Sequence, residues 1–141
     1  MVEAILRVED LNMYYRTKEG NVRAVQDVWF EVSRGETVGV AGESGSGKSS
    51  LALTILRLLP NYAVIERGRV LLDGDDVLKM GEDELRRIRW TKMAFVPQAS
   101  MNALNPVFRV GDQIAEAVLA HRDVSKREAL EIAGDMLDLV G

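Results

Sequence analysis

Hydrophobic and polar residues alternate in two stretches of the first third of the chain, and both stretches predict β-strands. The first, AILRVEDL, starts at residue 4; the second, VQDVWFEV, starts at residue 25. A polar turn centred on Gly20 and Asn21 separates them. In the second stretch Val28, Phe30 and Val32 alternate with Asp, Trp and Glu, so one face of this strand is expected to be buried.

A third apolar stretch, TVGVAG at residues 37–42, shows no alternation with polar residues. Such a run predicts a strand that is buried on both faces of a parallel sheet. The apolar residues from Leu51 to Leu59 then recur at i, i+4, i+7 and i+8, which predicts an amphipathic helix that Pro60 ends.

The rest of the pattern predicts two further strands and three helices. The strands are GRVLLDGDDVL (68–78), which includes a turn, and KMAFVPQ (92–98), which Pro97 stops. The helices are EDELRRIRW (82–90), VGDQIAEAVLA (110–120) and KREALEIAGDMLDLV (126–140). The stretch ASMNALNP (99–106) is predicted to be a loop. Ser125 and Glu128 form a capping-box pattern at the start of the last helix.

Composition and charge are those of one ordinary globular domain. Of the 141 residues, 47% are hydrophobic and 28% are charged. The net charge of -4 argues against non-specific nucleic-acid binding, so no nucleic-acid partner is expected. The chain has no cysteine, which excludes disulfides and cysteine-ligated metals within it. No apolar run reaches about 18 residues, and the first residues lack the apolar core of a signal peptide.

A glycine-rich stretch follows the third apolar run and opens the predicted helix. Gly42, Gly47, Lys48 and Ser49 fit the pattern G-x-x-x-x-G-K-[ST], which is typical of loops that bind nucleotide phosphates. Glycine lets such a loop wrap closely around a phosphate group, and the helix behind it directs free N–H groups at the anion. We therefore expect Lys48 to reach the β- and γ-phosphates and the Ser49 hydroxyl to ligate Mg²⁺.

Four more residues of this stretch are candidates for phosphate binding. Gly45 permits the tight wrapping of the loop. Ser44 and Ser46 lie inside the loop and are expected to contribute backbone N–H groups. Ser50 is expected either to bond near the α-phosphate or to serve only as a small residue at the start of the helix, and the sequence leaves both open.

Three kinds of protein share such a loop: transport-type ATPases, GTPases or small-molecule kinases, and fragments that hold a nucleotide without turnover. A GTPase would carry the guanine motif N-K-x-D, which this sequence lacks. Many kinases begin close to the loop, whereas two predicted strands precede it here. The turn region between those strands includes Tyr14 and Tyr15, either of which could stack on a nucleobase or be an ordinary strand residue.

Two longer stretches extend the comparison to a known family. They are NMYYRTKEGNVRAVQDVWFEVSRGETVGVAGESGSGKSSL and MAFVPQASMNALNPVFRVGDQIAEA. Together they resemble the ATP-binding subunit of ABC transporters, and the second resembles the Q-loop region of the oligopeptide, dipeptide and nickel importer branch. The resemblance covers nearly the whole chain, and the phosphate loop combined with VPQ and LNP is far more specific than the loop alone.

The resemblance implies that ATP and Mg²⁺ are the cofactors, and it assigns roles to further residues. Gln98 corresponds to the Q-loop glutamine, which in the family helps to bind Mg²⁺ and the attacking water. An amide can orient water without adding charge, although by itself Gln98 would pass for a solvated loop residue. Tyr15 best matches the aromatic residue that stacks on adenine, with Tyr14 as the neighbour that could be confused with it. Lys48 and Gln98 are thus the catalytic candidates, and Ser49 and Gln98 the metal ligands.

Other elements that the family needs for hydrolysis do not occur in the sequence. No LSGGQ-like signature is present, and no apolar strand ends in Asp-Glu. Asp73 superficially resembles the metal-binding aspartate of Walker B, but Gly74 stands where the catalytic glutamate should be, so we interpret Asp73 as a turn residue. Asp138 is expected at a helix surface, and His121 is interpreted as a solvated residue at a helix end.

The resemblance implies an α/β fold, a P-loop NTPase of ABC type truncated to its amino-terminal half. An antiparallel β-subdomain would start in residues 1–36, the P-loop core would run to the Q-loop over 37–98, and the helical subdomain would start in 99–141. Strands that flank the P-loop strand would be missing, and the unpaired apolar edge leads us to expect self-association or partial disorder of these residues alone.

The function implied is ATP binding within an importer ATPase for oligopeptides, dipeptides or a related solute. Its implied partners are ABC membrane subunits, a second ATPase subunit that is identical or related, and indirectly a solute-binding protein. It would act at the cytoplasmic face of the cell membrane as a peripheral subunit. The alternative is a truncated P-loop fragment that binds nucleotide or phosphate without hydrolysis, and negligible hydrolysis is expected from these residues alone.

Overall fold

A computed structural model describes residues 4–97 and 103–141, which form two compact units that divide between Arg86 and Arg87. The first unit holds four strands and a helix, the second holds two helices, and a short helix lies at the division. The elements are β1 (Ala4–Thr17), β2 (Gly20–Ser33), α1 (Lys48–Ile55), β3 (Ala63–Leu72), β4 (Asp75–Asp76), α2 (Glu82–Ile88), α3 (Val110–His121) and α4 (Lys126–Val140). Among the described residues, no helix is both long and apolar enough to cross a bilayer.

The strands of the first unit form one antiparallel sheet in the order β2-β1-β3-β4. The β1–β2 hairpin closes through Lys18 and Glu19, with Thr17 paired to Gly20. The turn therefore lies just before the predicted centre at Gly20 and Asn21, because Gly20, at φ 129, starts β2 rather than sitting inside the turn. Both strands are longer than predicted, since their pairing continues from Met13–Val25 to Thr17–Gly20 at the turn.

One face of this sheet is buried, but the β2 residues predicted to lie on it, Val28, Phe30 and Val32, are only half-buried. The residues Val8, Leu11, Met13, Val25, Val70, Leu72, Val77 and Leu85 are buried in this unit. Trp29 points to the other face and is 65% exposed. The polar side chain of Asn12 is also buried, and its amide donates to the Asp10 carbonyl at 2.9 Å while its oxygen accepts from the Asp27 N–H at 3.1 Å. Asn12 thus satisfies backbone groups at two irregular positions of the strands.

Two predicted strands, TVGVAG and the described part of KMAFVPQ, are not present as strands. Residues 37–42 join no ladder, and in 92–97 Met93 forms a single isolated bridge with Arg89. A strand buried on both faces needs hydrogen-bonded strands on both sides, and the described residues supply no paired strand beside either segment. Val38 and Val40 are therefore 41% and 54% exposed, and Val96 is 88% exposed. Residues 37–42 thus lack hydrogen-bonded strand neighbours, in keeping with the unpaired edge expected beside the P-loop, whereas 92–97 was expected to be a strand. Self-association and partial disorder stay predictions.

Helix α1 ends at Ile55, before the predicted end at Pro60. Arg57 adopts a left-handed conformation, with φ 51, and its N–H donates to the Thr54 carbonyl. The Leu58 N–H then donates to the Leu53 carbonyl at 2.9 Å. This is the hydrogen-bond pattern of a Schellman motif, which closes a helix whatever apolar residues follow it.

The second unit pairs helices α3 and α4, and small residues lie where they pack. Ala115, Ala129 and Ala133 are buried, and Lys126 forms an ion pair with Asp112 at 3.1 Å. The loop before α3 is tied to that helix by Gln113, whose amide donates to the Asn105 carbonyl at 2.9 Å and whose oxygen accepts from the Asn105 N–H at 2.8 Å. The described part of the predicted ASMNALNP loop is thus ordered by its own helix.

The predicted capping box at the start of α4 is confirmed. The Ser125 hydroxyl accepts from the Glu128 N–H at 3.3 Å, and the Glu128 carboxylate accepts from the Ser125 N–H at 2.8 Å. The same carboxylate accepts from the Ser125 hydroxyl at 2.6 Å. These hydrogen bonds, led by that from the hydroxyl, hold the pKa of Glu128 below its ordinary value.

Acidification is expected to weaken helix α4 through Glu128. Its pKa is lower in the folded helix than in the unfolded chain, so its contribution to stability is fully present above the ordinary glutamate pKa. The contribution is lost as the pH falls through the lower folded value. Circular dichroism across an acid titration would measure this, and Glu128→Gln should flatten part of the response. Glu131→Gln, on the same helix, should leave the acid response unchanged. If both variants and the unaltered chain lost helix identically on acidification, Glu128 would not be the group responsible.

Candidate functional site

The glycine-rich loop leads directly into helix α1, whose first residue is Lys48. Gly47 is the residue that caps the helix, in a left-handed conformation at φ 91 and ψ 4. No side chain caps the helix, and no acidic residue lies in its first turn. The first helical bond runs from the Leu51 N–H to the Gly47 carbonyl at 2.8 Å. The N–H groups of the first turn are therefore available to an anion at the positive end of the helix dipole.

Two glycines of the loop lie close to other atoms, Gly47 against backbone and Gly42 against the movable end of a side chain. A Cβ on Gly47 would lie 2.1 Å from the carbonyl oxygen of Ala24, which belongs to β2. A Cβ on Gly42 would lie 2.8 Å from the Ser46 hydroxyl oxygen. Gly45 has a φ of 81 but open space around it. Gly47 thus lets the loop lie against β2, and Gly42 lets it fold on itself.

The Lys48 side chain lies across the loop. Its ammonium group donates to the carbonyl oxygens of Gly42 at 2.7 Å and Glu43 at 2.6 Å, and to the Ser46 hydroxyl at 3.2 Å. Three hydrogen bonds hold the positive charge over the loop that leads into α1. A phosphate bound there would face both the charge and the N–H donors.

A cavity of about 260 Å³ lies between this loop and the β1–β2 hairpin. Its lining comprises Tyr15, Val22, Arg23, Ala24 and residues 45–50. The lining carries Lys48 and Arg23 and no carboxylate, so the cavity suits an anion. Tyr15 is among the lining residues and Tyr14 is not, because neighbouring residues of a strand point to opposite faces.

The Tyr15 side chain is hydrogen-bonded to the start of helix α1, which forms one wall of the cavity. Its hydroxyl donates to the Ser50 hydroxyl oxygen at 3.0 Å, across 35 positions of sequence. Tyr15 pairs with Val22 in the sheet, which is why Val22 and its neighbours form the wall beside the ring. An aromatic face, a lysine and free helix N–H groups therefore meet at one cavity.

The family model described as ABC transporter matches residues 25–140. The chain belongs to this ABC transporter family. The phosphate loop, the β2 strand on which it rests and the helices of the second unit all lie within the matched residues.

Two relatives show how much of an ABC transporter protein these residues span. The dipeptide transport ATP-binding protein DppD of Bacillus subtilis is 40% identical over 99% of this chain, which covers 42% of DppD. The oligopeptide transport ATP-binding protein OppD of Escherichia coli is 40% identical over 98% of this chain, which covers 41% of OppD. The chain thus spans less than half the length of these relatives.

A solved structure shares the fold of this ABC transporter chain. It is the ATP-binding cassette MJ0796 in a post-hydrolysis state bound to ADP and Pi, with a TM-score of 0.77 and 26% identity. The similarity covers 94% of this chain and 56% of MJ0796. The predicted fold class, an α/β P-loop NTPase of ABC type, is confirmed.

The remaining predicted phosphate ligands lie at or near the loop. Ser44, Ser46 and Ser49 are exposed, and Ser50 is half-buried under Tyr15. The Ser46 N–H donates to the Glu43 carbonyl at 3.2 Å, so it stabilises the turn of the loop. Ser49 presents an exposed hydroxyl beside Lys48. Gln98, the predicted second metal ligand, lies outside the described residues.

Three residues were interpreted from the sequence as lying outside the site: Asp73, Asp138 and His121. Their positions agree with that interpretation, except that His121 is less exposed than expected. Asp73 lies in the β3–β4 turn with Gly74, both at positive φ, and forms an ion pair with Arg34. Positive φ at both central residues is typical of a two-residue hairpin turn. Asp138 is exposed on α4. His121 is the last residue of α3 but is half-buried, so it is less solvated than expected. The described ranges hold no group of three or more His, Cys, Asp or Glu that could bind a metal.

Sequence reasoning missed the contribution of β2 to the cavity. Ala24 supplies the carbonyl against which Gly47 packs, and Arg23 adds a positive charge that is shared with Glu66 at 3.1 Å. Neither residue belongs to a recognisable motif. The only signal that could have located them is hairpin register, which places Val22 opposite Tyr15.

Proposed function

We propose that this chain is the ATP-binding part of an ABC importer ATPase. The observation that carries the proposal is the single cavity in which the Lys48 loop, the start of α1 and the Tyr15 ring meet. Its lining offers an aromatic ring together with cationic and N–H donors. These are the two chemistries that a nucleoside triphosphate requires.

The residues present fit ATP and Mg²⁺. Backbone N–H groups at the start of α1 and the Lys48 ammonium would hold the β- and γ-phosphates, within the loop shaped by Gly42, Gly45 and Gly47. Ser44, Ser46 and Ser50 would complete the phosphate contacts. Tyr15 would stack on the adenine ring, and the Ser49 hydroxyl and the Gln98 amide would ligate Mg²⁺. When bound, Mg²⁺ neutralises phosphate charge.

We further propose that these residues bind ATP without turning it over by themselves. Their sequence contains neither an LSGGQ-like signature nor an Asp-Glu pair after an apolar strand. Without a carboxylate to activate water, Lys48 can hold the triphosphate but no group in the described site can accept the proton of the attacking water. Gln98 would orient that water, and hydrolysis would belong to the parent ATPase.

The transported solute is proposed to be a peptide, because the relatives that match over nearly the whole chain are named for dipeptide and oligopeptide transport. The partners would be ABC membrane subunits, served by a solute-binding protein, and a second ATPase subunit, because one solved neighbour is a dimeric cassette. The chain would then lie at the cytoplasmic face of the membrane. Within it we assign residues 1–36 to the β-subdomain, 37–98 to the P-loop core and 99–141 to the helical subdomain.

The second candidate is a P-loop fragment that binds only phosphate-like anions. It is favoured by the exposure of the loop, since residues 41–46 are all exposed. The two candidates differ in the role of Tyr15, which contacts the nucleobase if ATP is bound and has no such role if only an anion is bound. If only the phosphates are recognised, removing the Tyr15 ring leaves affinity unchanged.

Replacing Tyr15 with alanine is therefore expected to weaken ATP binding about five- to a hundredfold, the range expected for loss of one base-stacking contact. Binding of inorganic triphosphate should stay the same, because the phosphate loop is intact. Isothermal titration of the 141-residue chain with each ligand and Mg²⁺ would measure both affinities.

Tyr14→Ala is the matched control, since Tyr14 is the neighbouring aromatic residue and does not line the cavity. It should bind ATP like the unaltered chain. Equal losses for ATP and triphosphate in Tyr15→Ala would indicate damage to the loop, and unchanged ATP affinity would favour a phosphate site alone.

A further inference from the structure

A second tyrosine packs against Tyr15 from outside the cavity. The ring centroids of Tyr15 and Tyr62 are 5.6 Å apart, and their planes are inclined by 47°. This separation is typical of favourable aromatic pairs. Tyr62 lies in the segment between α1 and β3, far from any sequence motif, and it is 58% exposed.

The backbone around Tyr62 is held in place beside β1. The Tyr62 carbonyl accepts from the Arg16 N–H at 2.8 Å, and the Ala63 N–H closes a turn by donating to the Pro60 carbonyl at 2.9 Å. Ala63 pairs with Tyr15 in the sheet. Because these bonds anchor both sides of Tyr62, its ring is presented to Tyr15 by the sheet itself.

Tyr15 is thus restrained at two points. Its hydroxyl is bonded to Ser50 at 3.0 Å, and its ring packs against Tyr62. The bond to Ser50 fixes one end of the side chain, but rotation about the axis through that end stays possible. The Tyr62 ring packs beside the Tyr15 ring and disfavours this rotation.

We propose that Tyr62 is a positioning residue that orients the Tyr15 ring for stacking on the nucleobase. The inference rests on the proposed function, in which Tyr15 contacts adenine. Tyr62 does not line the cavity and is inclined to Tyr15, so both rings cannot lie parallel to one base. Tyr62 therefore acts through Tyr15 and reduces the ordering that ATP binding requires.

Titration of the 141-residue chain with Mg²⁺ and either ATP or inorganic triphosphate tests the proposal. Tyr62→Ala is expected to weaken ATP binding roughly three- to tenfold, the loss of about one aromatic pair, with triphosphate binding unchanged. Tyr62→Phe keeps the ring and should bind both ligands like the unaltered chain. Tyr62→Leu, which retains apolar bulk without an aromatic face, should resemble Tyr62→Ala and guards against misfolding of that variant.

A double variant separates positioning from direct contact. In a Tyr15→Ala background, Tyr62→Ala should cause no further loss of ATP affinity. A further loss would mean that Tyr62 touches the base itself, and equal losses for ATP and triphosphate would mean a purely structural role; either result overturns the proposal, as does unchanged ATP affinity in the single variant.

The proposed function has its own point of failure in the same experiment. If triphosphate does not bind, or binds equally well to Lys48→Ala, the phosphate site is wrong and both proposals are overturned. If triphosphate binding depends on Lys48 but Tyr62→Ala leaves ATP affinity unchanged, only the positioning role is overturned.

Discussion

Replacing Lys48 with alanine is expected to lower the affinity of this chain for both Mg²⁺–ATP and inorganic triphosphate on the order of a hundredfold. The ammonium group is the one cationic group of the described loop itself, and charge-assisted hydrogen bonds to phosphate are the strongest contacts the loop can offer. Both ligands should be affected alike, because both present the same phosphates to Lys48. Isothermal titration at one fixed ionic strength would measure the change.

The matched control for this variant is Lys79→Ala, which removes an equal charge elsewhere in the first unit. The Lys79 side chain is 78% exposed and pairs with Asp76 at 3.3 Å, away from the cavity lining. It should leave both affinities nearly unchanged, since exposed charges at a distance are screened by salt. Equal losses in the two variants would show that net charge rather than the loop attracts the anion.

Replacing Gly47 with alanine should destabilise the first unit by roughly 2–4 kcal/mol. Two costs add here: a left-handed conformation at φ 91, which disfavours any residue with a Cβ, and a Cβ placed 2.1 Å from the Ala24 carbonyl oxygen. The backbone oxygen cannot rotate away as a side chain could, so the loop must move off β2. Urea unfolding followed by circular dichroism would measure the loss, and triphosphate binding should fall with it.

The Gly45→Ala variant separates the cost of the left-handed conformation from the cost of the steric clash. Gly45 also has a positive φ, of 81, but no atom lies within 4 Å of the added Cβ. Gly45→Ala should therefore lower the free energy of unfolding by only about 1 kcal/mol, the cost of the left-handed conformation for a residue with a Cβ. If the two variants were equally destabilised, the contact with Ala24 would not be what holds the loop in place.

Local features of the fold could be predicted because they depend on residues close in sequence. The capping box at Ser125 and Glu128 satisfies backbone groups within one turn, so its two residue types suffice to predict it. The same holds for the glycine-rich loop, in which the Lys48 ammonium donates to the Gly42 carbonyl six positions earlier. The two elements that failed, residues 37–42 and 92–97, are those whose state depends on neighbouring strands rather than on their own apolar residues.

The sequence by itself determined that a glycine-rich loop leads into a helix, because spacing and residue type there encode the local structure, and its resemblance to a known family implied the ABC type. Only the tertiary structure decided which tyrosine faces that loop. The choice of Tyr15 over Tyr14 follows from the register of β1 with β2 and β3, and the bond to Ser50 spans 35 positions. Contacts of that range depend on how the whole sheet is paired, which no short stretch of sequence specifies.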